Sequence, residues 1–178
     1  VVSLQLLASV CDTKHRGIID KLVSAGLLDS LNGVYQLNKA AVSKGESKIL
    51  NYASDTALCN IYFNIIATKQ LFKQLRRSDA IEYLVSAMQS SNSDVAFASC
   101  RALAVLGENA DCRTDVGKLF GVKYLSRLIE HDDDSPIEAL SSLLVNNEAN
   151  CLQFVELNGI AMLAKKFYSC GDANMSLI

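Results

Sequence analysis

The pentapeptide Gly121-Val122-Lys123-Tyr124-Leu125 has counterparts at Gly159-Ile160-Ala161-Met162-Leu163, at Ala80-Ile81-Glu82-Tyr83-Leu84 and, more loosely, at Leu27-Leu28-Asp29-Ser30-Leu31. The best copy lies in the stretch from Asp94 to Glu130, which reads as two amphipathic helices joined by a polar turn. A unit of this size cannot bury its own apolar stripe, so copies must stack. The repeat interval falls near the ~40 to 47 residues of helical solenoids. Repetition therefore points to an all-α superhelix before any other feature is considered.

In chain order, Leu4, Leu7, Ala8 and Cys11 share one face of a helix already under way at Val1, so the chain reads as a piece of a longer solenoid. After a turn at Lys14-His15-Arg16, a helix buries Ile18, Ile19, Leu22 and Val23. It passes Gly26 and stops at the Asn32-Gly33 signal. From Tyr35 to Glu46 the periodicity is weak, and Gly45 predicts a loop or a short broken helix. Ser47 to Thr68 carries a long apolar stripe, and Leu71, Phe72 and Leu75 follow it. The pair Asp79 and Glu82 then predicts a capping box opening a helix that ends near Gln89. Asp94 is placed to cap a helix running to Gly107, and another begins near Cys112, passes Gly121 and closes at Glu130. Ser135-Pro136-Ile137-Glu138 reads as a second capping box. Asp132-Asp133-Asp134 then lie beside the positive end of that helix, which accounts for them better than a divalent cation does. The last unit turns at Asn146-Asn147 and resumes from Glu148 through Phe167. The expected units are 1–33, 47–89, 94–130 and 135–168 of a single domain.

Ala102-Leu103, Cys112-Arg113, Val116, Gly121-Val122 and Leu125 resemble an armadillo repeat, as do Ala139-Leu140, Asn150, Phe154-Val155, Asn158-Gly159-Ile160 and Leu163. The two earlier units match poorly. The resemblance implies a right-handed α-α superhelix of the armadillo or HEAT kind, with about four repeats, acting as a protein-interaction scaffold or adaptor. In well-formed armadillo repeats the last helix of each unit lines a concave groove, where an Asn holds the backbone of an extended peptide. Here the matching positions hold Ala104 and Ser142, and only the second unit has Asn nearby, as Asn60 and Asn64. Without a ladder of Asn, the nuclear-import manner of gripping a basic peptide is not expected. The implied partner-binding face comprises Asn60, Asn64, Phe97, Arg101, Glu108, Glu138 and Ser142, a mixed surface suited to an individual protein or peptide partner. Two alternatives stand beside it. One is a regulatory, autoinhibitory or ligand-sensing module of a larger signalling enzyme, motivated by the irregular stretch 35–69. The other is a myosin-chaperone or cytoskeletal-assembly solenoid.

Composition narrows function by exclusion. At 178 residues, half of them hydrophobic (50%), the chain can form one sizeable core. Its net charge is −2, and its basic residues are scattered as Lys14-His15-Arg16, Arg76-Arg77 and Lys165-Lys166. No stripe exists to neutralise a phosphate backbone, so nucleic acid is not an expected partner. The most apolar window, Val95 to Leu106, is shorter than a bilayer-spanning helix and is broken by Arg101, so membrane insertion is not expected.

Six cysteines contain no C-x-x-C pair. Cys59 and Cys100 lie one repeat apart, and Cys112 and Cys151 nearly so. They read as small core residues of a reducing, cytoplasmic or nuclear compartment. The two histidines, His15 and His131, fall in different turns, and no phosphate loop, H-E-x-x-H or G-x-S-x-G is present. The sequence thus reads as neither an enzyme nor a cofactor or metal protein. Asn174-Met175-Ser176 is a sequon short enough to arise by chance. Truncated end units predict self-association through exposed apolar edges.

Overall fold

The computed structural model describes residues 2–11, 16–44 and 52–175. Twelve helices and no strand form among these residues: α1 (Val2–Cys11), α2 (Arg16–Ser24), α3 (Leu27–Ser43), α4 (Tyr52–Ala67), α5 (Phe72–Arg77), α6 (Ala80–Ala87), α7 (Ser93–Leu106), α8 (Ala110–Lys118), α9 (Gly121–Leu128), α10 (Ser135–Leu144), α11 (Glu148–Glu156) and α12 (Gly159–Met175). The expected turn at Lys14-His15, the expected break at Gly45, the first residues of the helix placed from Ser47, and Ser176 of the sequon lie outside the described residues.

Every third helix joins a ladder: α1 packs on α4, α4 on α7 and α7 on α10, the three most extensive helix contacts in the chain. Burial fixes the register along it. Leu58, Cys59, Ile61, Tyr62 and Ile65 of α4 occupy the places that Ser99, Cys100, Ala102, Leu103 and Leu106 take in α7, all fully or nearly fully buried. Ala139, Leu140 and Leu143 repeat the last three places in α10. Helices α3, α6 and α9 back the ladder with Leu28, Leu31, Ile81, Leu84, Val122 and Leu125, and short α5, α8 and α11 close each layer with Leu75, Cys112, Val116 and Phe154. A single apolar core therefore runs the length of the stack.

Several local expectations are corrected. The helix expected to stop at Asn32-Gly33 continues as α3 to Ser43, so Tyr35 onward is helical. Its inward stripe is Leu27, Leu28, Leu31, Tyr35, Asn38 and Ala41, and the weak periodicity arose because a polar residue, Asn38, stands in the buried row. Asn32 spends its side chain on another element, its Oδ1 accepting from the Asp79 N–H at 3.2 Å.

Neither capping box forms. The Asp79 side chain makes no cap, and its Oδ2 accepts from Gln36 Nε2 at 2.7 Å, while Glu82 pairs with Lys39 at 2.5 Å. At α10 the Ser135 hydroxyl and N–H both turn back to Asp133 Oδ1 instead of capping the helix. Asp94 does not cap α7 either, since Asn92 does so two residues earlier by accepting from the Val95 N–H. Among the described residues the side-chain caps are Asn92, Asn109 and Asn147, each with its side-chain oxygen on first-turn N–H groups. The two Asn caps of α8 and α11 align Cys112 with Asn150, not with Cys151. Cys151 is accordingly exposed, contrary to the expectation of a core thiol.

Left-handed residues set three of the turns that lead into longer or backing helices. Gly26, Phe120 and Asn158 stand immediately before α3, α9 and α12 with φ of 92°, 62° and 59°. Gly and Asn tolerate this region, whereas a bulky aromatic is strained there by about 1–2 kcal/mol. Phe120 is 58% exposed, so little packing offsets the strain. Behind the same turn, Gly117 lies so close to Asn150 that an added Cβ would meet Asn150 Oδ1 at 1.9 Å. Asn150 is 3% exposed, and its Nδ2 donates to the Leu143 carbonyl at 2.9 Å and the Arg113 carbonyl at 3.2 Å, tying α8, α10 and α11 together.

Two stability predictions follow from this geometry. Phe120→Asn, which gives this turn the residue of its counterpart Asn158, raises stability by about 0.5–1 kcal/mol in urea unfolding. No gain, or a loss, would show that Phe120 has packing value beyond its small buried area. Gly117→Ala displaces Asn150 from two buried carbonyls and lowers stability by about 2–4 kcal/mol. A change under about 0.5 kcal/mol in the same unfolding assay would contradict that contact.

Candidate functional site

The ladder register decides which side chains share the open face. Asn60 of α4, Arg101 of α7 and Glu138 of α10 occupy one row, each directly following or matching a buried place, and Asn64, Val105 and Ser142 form the next row a turn further on. Val105, not Ala104, is thus the α7 counterpart of Asn64 and Ser142. The row runs neutral, positive, negative.

Two clefts open on this face. One, of about 410 Å³, is lined by Ala8 and Ser9 of α1, Asn60, Phe63 and Asn64 of α4, and Arg101 of α7. The other, of about 510 Å³, is lined by Gln5, Ala53, Thr56, Asp94, Phe97 and again Arg101. Arg101 is exposed and belongs to both. It makes no ion pair or hydrogen bond among the described residues, and the same holds for the Asn60 and Asn64 amides, which are half-buried. Its charge does reach Asp133. Burial pushes the Asp133 carboxyl up, but its two hydrogen bonds from Ser135 and the guanidinium nearby outweigh this and hold it below the usual carboxylate range.

Of the seven expected face residues, the structure gathers Asn60, Asn64 and Arg101 around the first cleft and places Phe97 in the second. Phe97 is half-buried, its ring edge-on to His131 with centroids 5.9 Å apart. Glu108 follows the end of α7 and pairs with Lys69 at 2.5 Å. Glu138 is exposed on α10, and Ser142 is half-buried against Gly107; neither lines either cleft. The contribution of α1, through Gln5, Ala8 and Ser9, was missed. The repeated cysteine was the available signal, because Cys11, Cys59 and Cys100 are buried on successive ladder helices.

Under this face lies a polar and aromatic knot. Tyr83 of α6 donates its hydroxyl to Asp55 Oδ1 at 3.1 Å, and its ring packs against Tyr35 and Tyr62, with centroids 5.3 and 5.6 Å away. Burial pushes the Tyr83 hydroxyl up, which favours the protonated form that donates to Asp55. No group of three or more His, Cys, Asp or Glu side chains that could hold a metal ion occurs among the described residues. Among those residues no helix is long and apolar enough to cross a membrane.

The sequence matches no protein-family model and no curated protein. Solved structures do share its fold. A designed armadillo repeat protein in complex with the peptide (KR)4 superposes on 92% of this chain with a TM-score of 0.75 at 16% identity. A computationally designed armadillo repeat protein for modular peptide recognition covers 92% with a TM-score of 0.76 at 16% identity. An engineered protein covers 91% with a TM-score of 0.75 at 20% identity. This chain spans 66%, 66% and 64% of their respective lengths, a little under two thirds. At such identities the likeness establishes the fold, an armadillo-type helical solenoid.

The buried thiols yield a prediction about chemistry. Burial pushes the Cys59 and Cys100 thiols up to about 12 and that of Cys112 to about 11, from an ordinary value of 9.0. Each therefore keeps its proton longer when folded. The stability it contributes is whole below about pH 9 and is lost as pH rises from there toward 11–12. Iodoacetamide at pH 8 is expected to modify Cys151 in the native protein but Cys59, Cys100 and Cys112 only after unfolding, read by peptide mass spectrometry. The melting temperature should fall between pH 8.5 and 10.5. Rapid native labelling of Cys59 would contradict the burial.

Proposed function

We propose that this chain is a protein-interaction scaffold that holds an extended segment of a partner polypeptide across the ladder face of α1, α4, α7 and α10. One observation carries the reading. The stacked helices bring free amides and one free guanidinium to two adjoining clefts, with no metal cluster or catalytic constellation among the described residues beside them. Rigid helices hold these groups at fixed spacing, so little conformational entropy is lost when a flexible segment is gripped. The designed armadillo protein of the same fold holds a peptide, (KR)4, which supports the same use of this surface.

On this reading the first unit, extended through α3 to Ser43, and the units 47–89, 94–130 and 135–168 act as one continuous binding domain, without catalytic activity and in a cytoplasmic or nuclear setting that keeps its thiols reduced. Affinity capture from cell extract tests it. The chain is compared with a variant carrying Asn64→Ala, Arg101→Glu and Glu138→Lys, after both show matching helicity and melting temperature. The expected result is a set of partners retained by the first and lost from the second. Identical partner sets would move the interaction off the ladder face.

A further inference from the structure

Three groups in the first cleft are free to donate to a ligand, the Asn60 and Asn64 amides and the Arg101 guanidinium; the Ser9 hydroxyl there already donates to the Gln5 carbonyl, and no carboxylate lines the cleft. Asp94 is confined to the second cleft, and Asp133 is already engaged by Ser135. An unpaired guanidinium beside half-buried amides is complementary to a carboxylate held next to a peptide backbone, because Arg grips carboxylates through two parallel N–H donors and an amide can pair with both backbone groups. Phe63 and Ala8 add apolar floor on which the aliphatic stem of the anchoring residue can lie.

Resting on the reading of the ladder face as a polypeptide groove, we infer that this cleft takes an extended segment anchored by one internal aspartate or glutamate paired with Arg101, its backbone held by Asn60 and Asn64. The anchor is single, because the neighbouring charges on the face, Asp94 and Glu138, would repel a run of acidic residues. It is internal, because the ladder continues from Arg101 onto α10, so a bound chain passes this point instead of ending there. This charge preference is opposite to that of the peptide (KR)4 held by the designed protein of the same fold.

A display library of random twelve-residue peptides, selected on the folded chain and then on Arg101→Gln, tests the inference. Individual enriched peptides are measured by fluorescence anisotropy, alongside (KR)4. The expected outcome is enrichment of one acidic position flanked by neutral residues, Kd about tenfold weaker on Arg101→Gln, and weaker binding of (KR)4 than of the selected peptides. Selection on Arg101→Glu should replace the acidic position by Lys or Arg. Should that variant unfold, Arg101→Lys serves instead, retaining the acidic preference with reduced affinity. Enriched peptides without an acidic position, or unaffected by Arg101→Gln, overturn the carboxylate anchor while leaving the polypeptide groove standing. Dependence on a free C-terminal carboxylate overturns the internal anchor. No enrichment over the triple variant with Asn64→Ala, Arg101→Glu and Glu138→Lys overturns the groove itself, and the anchor with it.

Discussion

Stacking of α4, α7 and α10 along their apolar stripes is the interaction on which the remaining geometry depends. A single helix with residues such as Leu58, Ile61, Tyr62 and Ile65 on its inner side has nowhere to bury them except against a neighbour of the same design. Once α7 meets α4 in the register set by Cys59 and Cys100, the outward positions must fall into rows as well. The candidate site is a by-product of core packing: Asn60, Arg101 and Glu138 share a row because the buried residues beside them share one. The groove is then as rigid as the core beneath it.

Polar residues inside the stack decide where the repeat departs from regularity. Asn150 stands where α8 has Cys112, and its amide bridges two carbonyls of neighbouring helices, which demands the bare backbone of Gly117. Tyr83 reaches across to Asp55 under the N-terminal half of the ladder, and Tyr35 and Tyr62 fill the space around it. The buried Tyr83 hydroxyl and Asn150 amide are each given partners, because leaving such a group unpaired costs more than the bond itself contributes, whereas the buried Tyr62 hydroxyl has no partner among the described residues. Before Ser90 the buried row also holds Asn38 and Asp55, polar residues that obscure the sequence signature of a repeat while leaving its architecture intact, so these units match poorly and still stack.

The expected face came from the resemblance to armadillo repeats, whose last helix lines a groove. Of its residues Asn60, Asn64, Phe97 and Arg101 lie at two adjoining clefts. Glu108 and Ser142 were expected on the same face but are used differently, one in an ion pair with Lys69 and one against Gly107. The share taken by α1 was signalled only by the recurrence of buried cysteine at Cys11, Cys59 and Cys100, since its contact with α4 joins segments far apart in the chain.

By itself the sequence determined the helices, their apolar faces and the need to stack, because periodicity and burial are properties of each segment that its neighbours can only reinforce. It also determined that Cys59, Cys100 and Cys112 are core residues. Tertiary structure decided the contests between near-equal local choices. Asn92 caps α7 in place of Asp94, Asp79 and Glu82 turn to Gln36 and Lys39 instead of their own helix, α3 runs past its stop signal, and Cys151 faces outward. For Asp79, Glu82 and Asn32 the deciding partner came from an element far along the chain, Gln36, Lys39 and the Asp79 N–H respectively, which the local sequence does not contain.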